Sequence, residues 1–334
     1  MPSISATVAV VSGGPSPEAD VSRLSAARLI PTLEARYSKA VQLELDHTLP
    51  ALLQEYSVDV VFPVAHGPVG EDGSLQGLLD IMGVAYVGSG VLASACAMDK
   101  SVTKRILQAA GIPLAKDRII HRRDDLNTCA RQCIEYLGKK VILKPLGQGS
   151  GIGIQFAEGY EDLRRKLSAG LAVEDQMLVE EFITGREITA GVLDLKEPLV
   201  LPVTEITTAD GAWYDYIHRY TPGLSEHTTP AALPAAQYQH IQEIALKAHQ
   251  LLGCRDISRS DFVVPETGYP VLIELNNLPG MTPTSLFPDG AKAAGIAFET
   301  LIHSLVDHAL SRKTQGLITL PTWSVPQLDA PSPS

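Results

Sequence analysis

Short apolar runs separated by amphipathic stretches fill the first part of the chain. Residues 7–12 (TVAVVS) and 59–65 (DVVFPVA) have the length and composition of buried strands. The stretches between and after them show the period of about 3.6 residues that is typical of helices. Strands that alternate with helices up to about residue 95 predict a parallel sheet covered on both faces.

The ends of two helices can be predicted in this part of the chain. One helix follows the glycine turn at 13–14 and is expected to bury Leu24, Ala27 and Leu29–Ile30. Another is expected to begin with Ser74 as its N-cap and to end near Gly83, since serine caps helix N-termini and glycine commonly ends helices.

From about residue 99 the pattern is that of a mixed α+β structure. Residues 99–110 carry apolar side chains at helical spacing and stop at Gly111. Strands are expected over 141–145 and 152–156, and the short loop LGQGSG between them predicts an antiparallel hairpin.

The remaining pattern predicts strands, one long helix and a tail. Two strands separated by Thr184-Gly185 begin near residue 177, and a long polar loop spans 208–232. A helix over 236–252 follows, with its apolar residues on one face. The Pro- and Ser-rich tail from about residue 316 is expected to be disordered.

Two further strands, 259–264 and 271–276, flank a turn and carry polar residues on one face. Alternate residues of a strand share a face, so pairing Val264 with Val271 fixes which polar residues oppose each other. The facing pairs in this register are Asp261 with Glu274 and Arg259 with Asn276.

Two carboxylates that face each other across a sheet repel unless a cation lies between them. The oxygen donors of Asp261, Glu274 and Asn276 suit Mg²⁺, with phosphate oxygens completing its coordination. The alternative is that these residues face water on an exposed sheet. The turn-rich stretch LPGMTPTSLFP that follows favours the metal site, because such loops commonly contact substrates.

The glycine-rich stretch 147–153 (GQGSGIG) fits two structures. A dinucleotide-binding fingerprint requires a helix after the glycines, whereas a strand pattern follows here. The stretch is either a loop that folds over phosphates, with Lys144 as a nearby cation, or an ordinary hairpin turn.

Two other sites are candidates for substrate contacts. Glu18 ends the turn GGPSPE before the first helix, where it either binds a cationic group such as an ammonium or complements the helix dipole. His66 follows a strand at the sheet edge where α/β proteins place ligands, although most lone histidines are structural.

Composition narrows the class of protein. The 334 residues, 45% of them hydrophobic, are enough for two or three packed lobes. A net charge of −11 argues against a nucleic-acid partner. No apolar run approaches the roughly 18 residues of a membrane span, and the four cysteines do not form a disulfide framework. The expectation is a cytoplasmic protein with no nucleic-acid or membrane partner.

Taken in order, the motifs resemble those of D-alanine–D-alanine ligases of the ATP-grasp superfamily. The resemblance runs from about residue 8 to 308. The stretches that carry it are GGPSPEADVSRLSA, HGPVGEDGSLQGLLD, GSGVLASACAMDKSVTKRIL, VILKPLGQGSGIGI, EEFITGREI, YDYIHRY, SRSDF and ELNNLPGMTPTSLFP.

The resemblance implies an α/β and α+β fold, the three-lobed ATP-grasp fold with an N-terminal parallel-sheet (pre-ATP-grasp) domain. The implied division is an N-terminal substrate domain over 1–95, a central ATP-grasp lobe over 96–183, a C-terminal lobe with the Mg²⁺ site over 184–315, and a tail over 316–334. ATP as a substrate and two Mg²⁺ ions are implied, together with small amino-acid substrates and a homodimer.

The resemblance also assigns roles to individual residues. Those implied for ATP binding are Lys100, Lys144, Gly149, Ser150, Glu180, Phe182, Ile183, Glu187 and Arg219, and those for the metal are Asp261, Glu274 and Asn276. Those implied for catalysis are Glu18, Ser150, Tyr220, Arg259 and Gly280, and those for substrate binding are Glu18, His66, Arg259, Ser285 and Leu286. Glu18 would bind the first substrate's ammonium, and the loop 208–232 would act as a lid.

The implied reaction joins two D-alanines through a D-alanyl phosphate, for peptidoglycan precursor synthesis. The chain departs from the family pattern at Arg219, where a lysine is usual, at His218 beside it, and at Gly151, where many members have a serine. Two alternatives remain: the same chemistry with D-lactate, D-serine or another amino acid as second substrate, and a catalytically silent nucleotide-binding module. Tyr220 favours an amino acid as the second substrate.

Overall fold

The computed structural model of the protein describes residues 4–314, apart from 209, 210, 212 and 267. The tail expected from about residue 316 lies outside the described residues. Within them, none of the helices combines the length and apolar character needed to cross a bilayer.

The first sheet is parallel and has four strands in the order β2-β1-β3-β4. Helices α1 and α3 and the short helix α2 connect these strands, as the alternating pattern predicted. The elements are β1 (Ile4–Ser12), α1 (Ala19–Glu34), β2 (Tyr37–Glu44), α2 (Leu49–Glu55), β3 (Val60–Pro63), α3 (Ser74–Met82) and β4 (Ala85–Tyr86).

Two details of these helices differ from the prediction. Leu29 is buried and Ile30 packs against the core, as predicted, whereas Leu24 and Ala27 are exposed and Val21 and Ala26 face the core instead. The buried face of α1 was placed incorrectly because it includes the buried serines Ser22 and Ser25. Apolar spacing alone therefore does not locate this face.

Ser74 is the first residue of α3 and not its cap. Gly73 occupies the cap position with a left-handed φ of 99°, and Asp72 accepts a hydrogen bond from the Ser74 amide at 2.9 Å. The predicted end at Gly83 is confirmed, since this glycine has a left-handed φ of 68°.

The second sheet has four antiparallel strands in the order β5-β8-β6-β7, with α6 and α7 packed against it. Its elements, with the two helices that precede them, are α4 (Val91–Met98), α5 (Lys100–Ala109), β5 (Asp117–His121), α6 (Leu126–Leu137), β6 (Lys140–Pro145), β7 (Gln155–Glu158), α7 (Gly159–Gly170) and β8 (Gln176–Glu181).

The hairpin of β6 and β7 is confirmed, but β7 begins three residues later than predicted. Residues 149–154 form consecutive turns instead, held by bonds from the Ile152 amide to the Gly149 carbonyl and from the Ile154 amide to the Gly151 carbonyl. The glycine-rich loop is therefore longer than the alternation of apolar residues suggested.

The third sheet is antiparallel, in the order β12-β11-β9-β13-β14 with β10 paired to β9. Its elements are β9 (Arg186–Asp194), β10 (Pro198–Val200), β11 (Thr204–Thr208), α8 (Tyr216–Tyr220), β12 (Ser225–Thr228), α9 (Ala235–Leu251), β13 (Asp256–Val264), β14 (Val271–Asn276), α10 (Leu286–Ala293) and α11 (Phe298–Thr314). The segment predicted as one polar loop over 208–232 thus contains α8 and β12.

Among the described residues, one connection leads into the third sheet from β8 of the second sheet and another from the segment just before β5. Residues 182–185 connect β8 directly to β9, so two strands adjacent in sequence belong to different sheets. Leu114 also forms an isolated parallel bridge with Leu272 of β14, and the Leu272 amide donates to the Pro113 carbonyl at 3.0 Å. Both connections therefore keep the second and third sheets close to each other beside the cleft.

Candidate active site

Every site residue singled out from the sequence lines one of two adjoining cavities. The first, of about 770 Å³, lies where the N-terminal domain meets the third sheet. The second, of about 1290 Å³, lies between the second and third sheets. Lys100, Tyr214, Arg219 and Glu274 line both, so the two cavities meet at these four side chains.

Glu18 lines the first cavity and is 2% exposed. The Ser150 hydroxyl donates to Oε1 of Glu18, and the Tyr220 hydroxyl lies 2.5 Å from Ser150 Oγ. Because the Ser150 hydrogen points to Glu18, Tyr220 is the donor of the second bond. Oε2 of Glu18 is buried without a protein partner and is available to a ligand.

His66 lies on the same side of this cavity. Its Nδ1 is 3.8 Å from Oε2 of Glu71, whose other oxygen accepts from the Gly67 amide at 2.7 Å. Its Nε2 is buried without a partner. The cavity thus holds one free carboxylate oxygen and one free imidazole nitrogen, a pair complementary to an amino acid's ammonium and carboxylate.

The pKa values of Glu18 and His66 are both raised. Burial raises the pKa of Glu18, although the charge of His66 opposes this rise. Burial alone would lower the pKa of His66, but the contact with Glu71 and the charge of Glu18 outweigh it and raise that pKa. His66 therefore retains its proton to a higher pH than an isolated histidine.

The second cavity has an apolar wall and a charged end. Phe156 makes edge-to-face contacts with Phe182, at 5.8 Å between ring centres, and with Trp213, at 5.4 Å. Ile183 and Glu187 also line this part. Burial raises the pKa of Glu187. An aromatic slot with a carboxylate at its rim suits a nucleoside.

The charged end contains a buried ion cluster around Glu180. Lys144 Nζ lies 2.5 Å from one oxygen of Glu180, and Lys104 Nζ contacts the other. Burial alone would raise the pKa of Glu180, but the two lysines lower it. Lys104 was not singled out from the sequence, since lysines are seldom buried. Its spacing of four residues from Lys100, which puts both lysines on one face of α5, is the signal that could have found it.

The glycine at position 151, where many family members have a serine, is explained by its contact with Trp213. It has a left-handed φ of 74°, and a Cβ atom placed on it would lie 2.8 Å from Cη2 of Trp213. Trp213 belongs to the segment expected to form a lid, so the glycine loop and this segment are in direct contact. The absence of a serine at position 151 leaves room for this indole ring.

Arg219 occupies the junction of the cavities. Its Nε donates to the Tyr214 carbonyl at 3.2 Å, and its guanidinium carbon lies 4.6 Å from the centre of the Tyr214 ring. His218 beside it contacts Asp215 at 2.6 Å and lines neither cavity. A lysine at position 219 would lack the planar group that this contact uses.

The facing pairs predicted for β13 and β14 are confirmed. Asp261 lies opposite Glu274, and Arg259 lies opposite Asn276. The pairing of Val264 with Val271 is wrong, because Val271 pairs with Val263 across an irregularity next to Asp261. A bulge of this kind shifts the register by one residue without altering the side of the sheet on which the four polar residues lie.

These polar residues already have cationic or hydrogen-bonding partners. Arg259 binds both oxygens of Asp261 at 2.8 Å, and Lys100 Nζ lies 3.2 Å from Glu274. Burial alone would raise the pKa values of both carboxyls, but Arg259 lowers that of Asp261 and Lys100 that of Glu274. Both carboxylates are therefore ionised and supply the hard oxygen donors that Mg²⁺ requires.

The loop between β14 and α10 closes the first cavity on its far side. Gly280, Ser285 and Leu286 line the cavity. The Ser285 hydroxyl accepts from the Thr282 amide at 2.9 Å, which fixes the loop's turn. A Cβ atom on Gly280 would lie 3.0 Å from Ser285 Oγ, so a side chain at this position would crowd that hydroxyl.

Family models match most of the chain. The model described as "D-ala D-ala ligase C-terminus" matches residues 106–307, and that described as "D-ala D-ala ligase N-terminus" matches residues 37–89. A curated D-alanine–D-alanine ligase from Desulforudis audaxviator is 41% identical over 306 residues, which cover 91% of this chain and 99% of the relative. The chain belongs to the D-alanine–D-alanine ligase family.

Solved structures of this family share the fold. The D-alanine–D-alanine ligase from Bacillus anthracis matches with a TM-score of 0.81 and 29% identity, covering 93% of this chain and 99% of that one. A structure of the same ligase complexed with ATP matches with a TM-score of 0.80 and 28% identity, with the same coverage. The ATP-grasp fold with an N-terminal parallel sheet, predicted from the sequence, is confirmed.

Proposed function

We propose that the protein is an ATP-dependent D-alanine–D-alanine ligase that makes the dipeptide for peptidoglycan precursors. The meeting of the two cavities at Lys100 and Arg219 carries this proposal. One cavity suits an amino-acid zwitterion and the other a nucleoside, so a substrate carboxylate and the terminal phosphate of ATP would meet beside these two cations.

The first D-alanine would bind with its ammonium on Glu18 and its carboxylate towards His66. Ser150 and Tyr220 orient Glu18, and Ser150 also ties the glycine loop to this site. Gly149 lies against Glu18, where a Cβ atom would be 3.0 Å from Oε2. Closure of the glycine loop over phosphates and completion of the ammonium site would therefore occur together.

ATP would bind with its adenine beside Phe182 and Ile183 and its ribose on Glu187. Lys144, held by Glu180, and Lys100 would contact the phosphates. A carboxylate oxygen of D-alanine attacks the γ-phosphorus, the bond to ADP breaks, and the D-alanyl phosphate forms. The lysines and Arg219 neutralise the negative charge that develops in this step.

Asp261, Glu274 and Asn276 would hold Mg²⁺, and we propose two ions in the complex with ATP. All three residues offer oxygen donors, and both carboxylates are ionised, so the side chains fit the ion. Bound Mg²⁺ supplies charge neutralisation at the phosphate oxygens. Arg259 and Lys100, the present partners of the two acids, remain close enough to share this task.

The second D-alanine would bind beside Ser285 and Leu286. Its amine attacks the acyl carbon, the carbon–oxygen bond to phosphate breaks, and the amine loses a proton. Arg259 and the Gly280 amide would stabilise the oxyanion of the tetrahedral intermediate. The segment that contains Trp213 and Tyr220 would exclude water, which would otherwise hydrolyse the acyl phosphate.

The division into an N-terminal domain (1–95), a central lobe (96–183) and a C-terminal lobe (184–315) is proposed with this function, and so is a cytoplasmic location. A homodimer is also proposed. Exposed apolar side chains on α3 and α4 support it, since Ile81 is 89% and Leu92 77% exposed.

The decisive experiment measures phosphate release from Mg-ATP with D-alanine, L-alanine, D-lactate and D-serine, offered singly and in pairs. Release with D-alanine alone, together with the dipeptide as product, is the expected result. Release only with an unlike pair would show a different second substrate, and no release with any acceptor would show a silent nucleotide-binding module.

A further inference from the structure

The loop that carries Gly280 and Ser285 is held from outside the cavity by Arg28. Nη1 of Arg28 donates to the Thr282 carbonyl at 2.6 Å and to the Met281 carbonyl at 3.1 Å. The guanidinium carbon lies 3.7 Å from the centre of the Phe298 ring. Stacking fixes the guanidinium, so its hydrogen bonds have a fixed direction.

The two carbonyls that Arg28 binds belong to the same stretch of the loop as Gly280 and Ser285. Met281 follows Gly280 directly, and Thr282 is bonded to Ser285 by its amide at 2.9 Å and by its hydroxyl at 2.8 Å. Peptide groups are planar and stiff. A shift of these carbonyls would therefore move the Gly280 amide and the Ser285 hydroxyl together.

Arg28 belongs to α1, the helix that begins immediately after Glu18. Ten residues of helix span about 15 Å. A single stiff helix thus connects the carboxylate assigned to the first amino acid with the side chain that holds the loop assigned to the second. No other described residue of α1 hydrogen-bonds to the loop's 281–282 carbonyls.

We propose that Arg28 is a positioning residue that sets the separation between the two amino-acid sites; the inference rests on the ligase function proposed above. Arg28 acts through the Met281 and Thr282 carbonyls and does not contact the reacting atoms. Its loss would let the loop drift away from the acyl phosphate and so weaken the binding of the second D-alanine.

The test compares Arg28→Met and Arg28→Lys with Arg23→Met. Arg23 is on the same helix but pairs at the surface with Asp20 and Glu44, so its replacement is a matched control. Arg28→Met is expected to raise KM for the second D-alanine about tenfold, the effect of losing hydrogen bonds to a charged group. KM for ATP should stay within about twofold of the wild type.

A second readout separates positioning from a general loss of stability. A poorly placed amine leaves the acyl phosphate to hydrolyse, so Arg28→Met should form less dipeptide per ATP consumed. Arg28→Lys keeps the charge without the stacked planar group and should give a smaller change of about threefold.

A lower melting temperature with an unchanged KM for the second D-alanine in both Arg28 variants would overturn the inference. If Arg28→Met does not fold, an Arg28→Lys variant with wild-type constants would overturn it as well. Failure of the wild-type protein to release phosphate with D-alanine would instead refute the proposed function.

Discussion

The indole ring of Trp213 occupies the space beside Gly151 that a side chain at this position would need. A Cβ atom at position 151 would lie 2.8 Å from Cη2 of the ring, which is shorter than real Cβ contacts. The glycine loop and the segment that covers it are thus matched to each other in size at this point.

Introducing a serine at position 151 is expected to reduce kcat/KM for ATP by about tenfold, because the hydroxymethyl group displaces Trp213 and the left-handed φ disfavours any side chain. Phenylalanine has no atom at the Cη2 position. The Gly151→Ser change should therefore cost less in a Trp213→Phe background. A double-mutant cycle in which the two effects simply multiply would refute the steric match.

Glu274→Gln is expected to reduce D-alanine-dependent phosphate release by at least about a hundredfold, since an amide binds Mg²⁺ more weakly than a carboxylate. The fold should remain intact with a modest fall in melting temperature, because Lys100 loses its carboxylate partner but keeps its hydrogen bond to the Gln148 carbonyl. Glu243→Gln, on the exposed face of α9, serves as the control. A wild-type rate in Glu274→Gln would remove the metal assignment.

Lys104→Met is expected to destabilise the protein by about 3 kcal/mol, because it leaves the buried charge of Glu180 with one partner fewer. It should also raise KM for ATP, since Glu180 holds Lys144. Lys104→Gln, which keeps an N–H donor for Glu180 and leaves the pair of Glu180 with Lys144 intact, should lose less stability than Lys104→Met, as measured by denaturant unfolding. The assignment fails if the two variants are equally stable.

The pH dependence of kcat/KM for D-alanine follows from the pKa values of Glu18 and His66, which line the first cavity. Glu18 must be ionised to bind an ammonium, and its raised pKa moves the acid-side loss of activity above pH 4.5, its ordinary value. His66 faces Glu71, Glu18 and Arg259, and its raised pKa keeps the imidazolium beyond pH 6.5. Activity should decline again as the pH rises through the raised pKa of His66, which lies above 6.5.

His66→Gln tests the alkaline side of this profile. Glutamine can donate a hydrogen bond but does not titrate, so the alkaline decline should disappear while the acid side remains. An unchanged alkaline decline in His66→Gln would assign it to another group, such as the amine of the substrate.

The strand pairing at the metal site could be predicted because two short strands with a period of two residues leave few registers. The irregularity beside Asp261 could not, since alternation of residue types does not reveal a bulge. The phase of α1 was misjudged at Leu24, where the buried side of the helix includes serines.

Lys104 and Trp213 show why part of the site was missed. The partner of Lys104, Glu180, is 76 positions away in the sequence, and neither residue alone indicates that both are buried. The contact of Trp213 with Gly151 likewise depends on how the covering segment folds back. Such pairs are produced by tertiary structure and leave no local pattern.

The two connections between the second and third sheets restrict how the nucleotide cleft can open. The four residues between β8 and β9 can extend over no more than about 18 Å, and the Leu114–Leu272 bridge fixes a second point. Both connections limit how far β5 and β8 can move from the third sheet, so we expect the cleft to open mainly by a change in the angle between the sheets. Exchange of ADP for ATP should then depend on this angle and on withdrawal of the segment around Trp213, and a disulfide that locks the angle should stop turnover and trap the bound nucleotide.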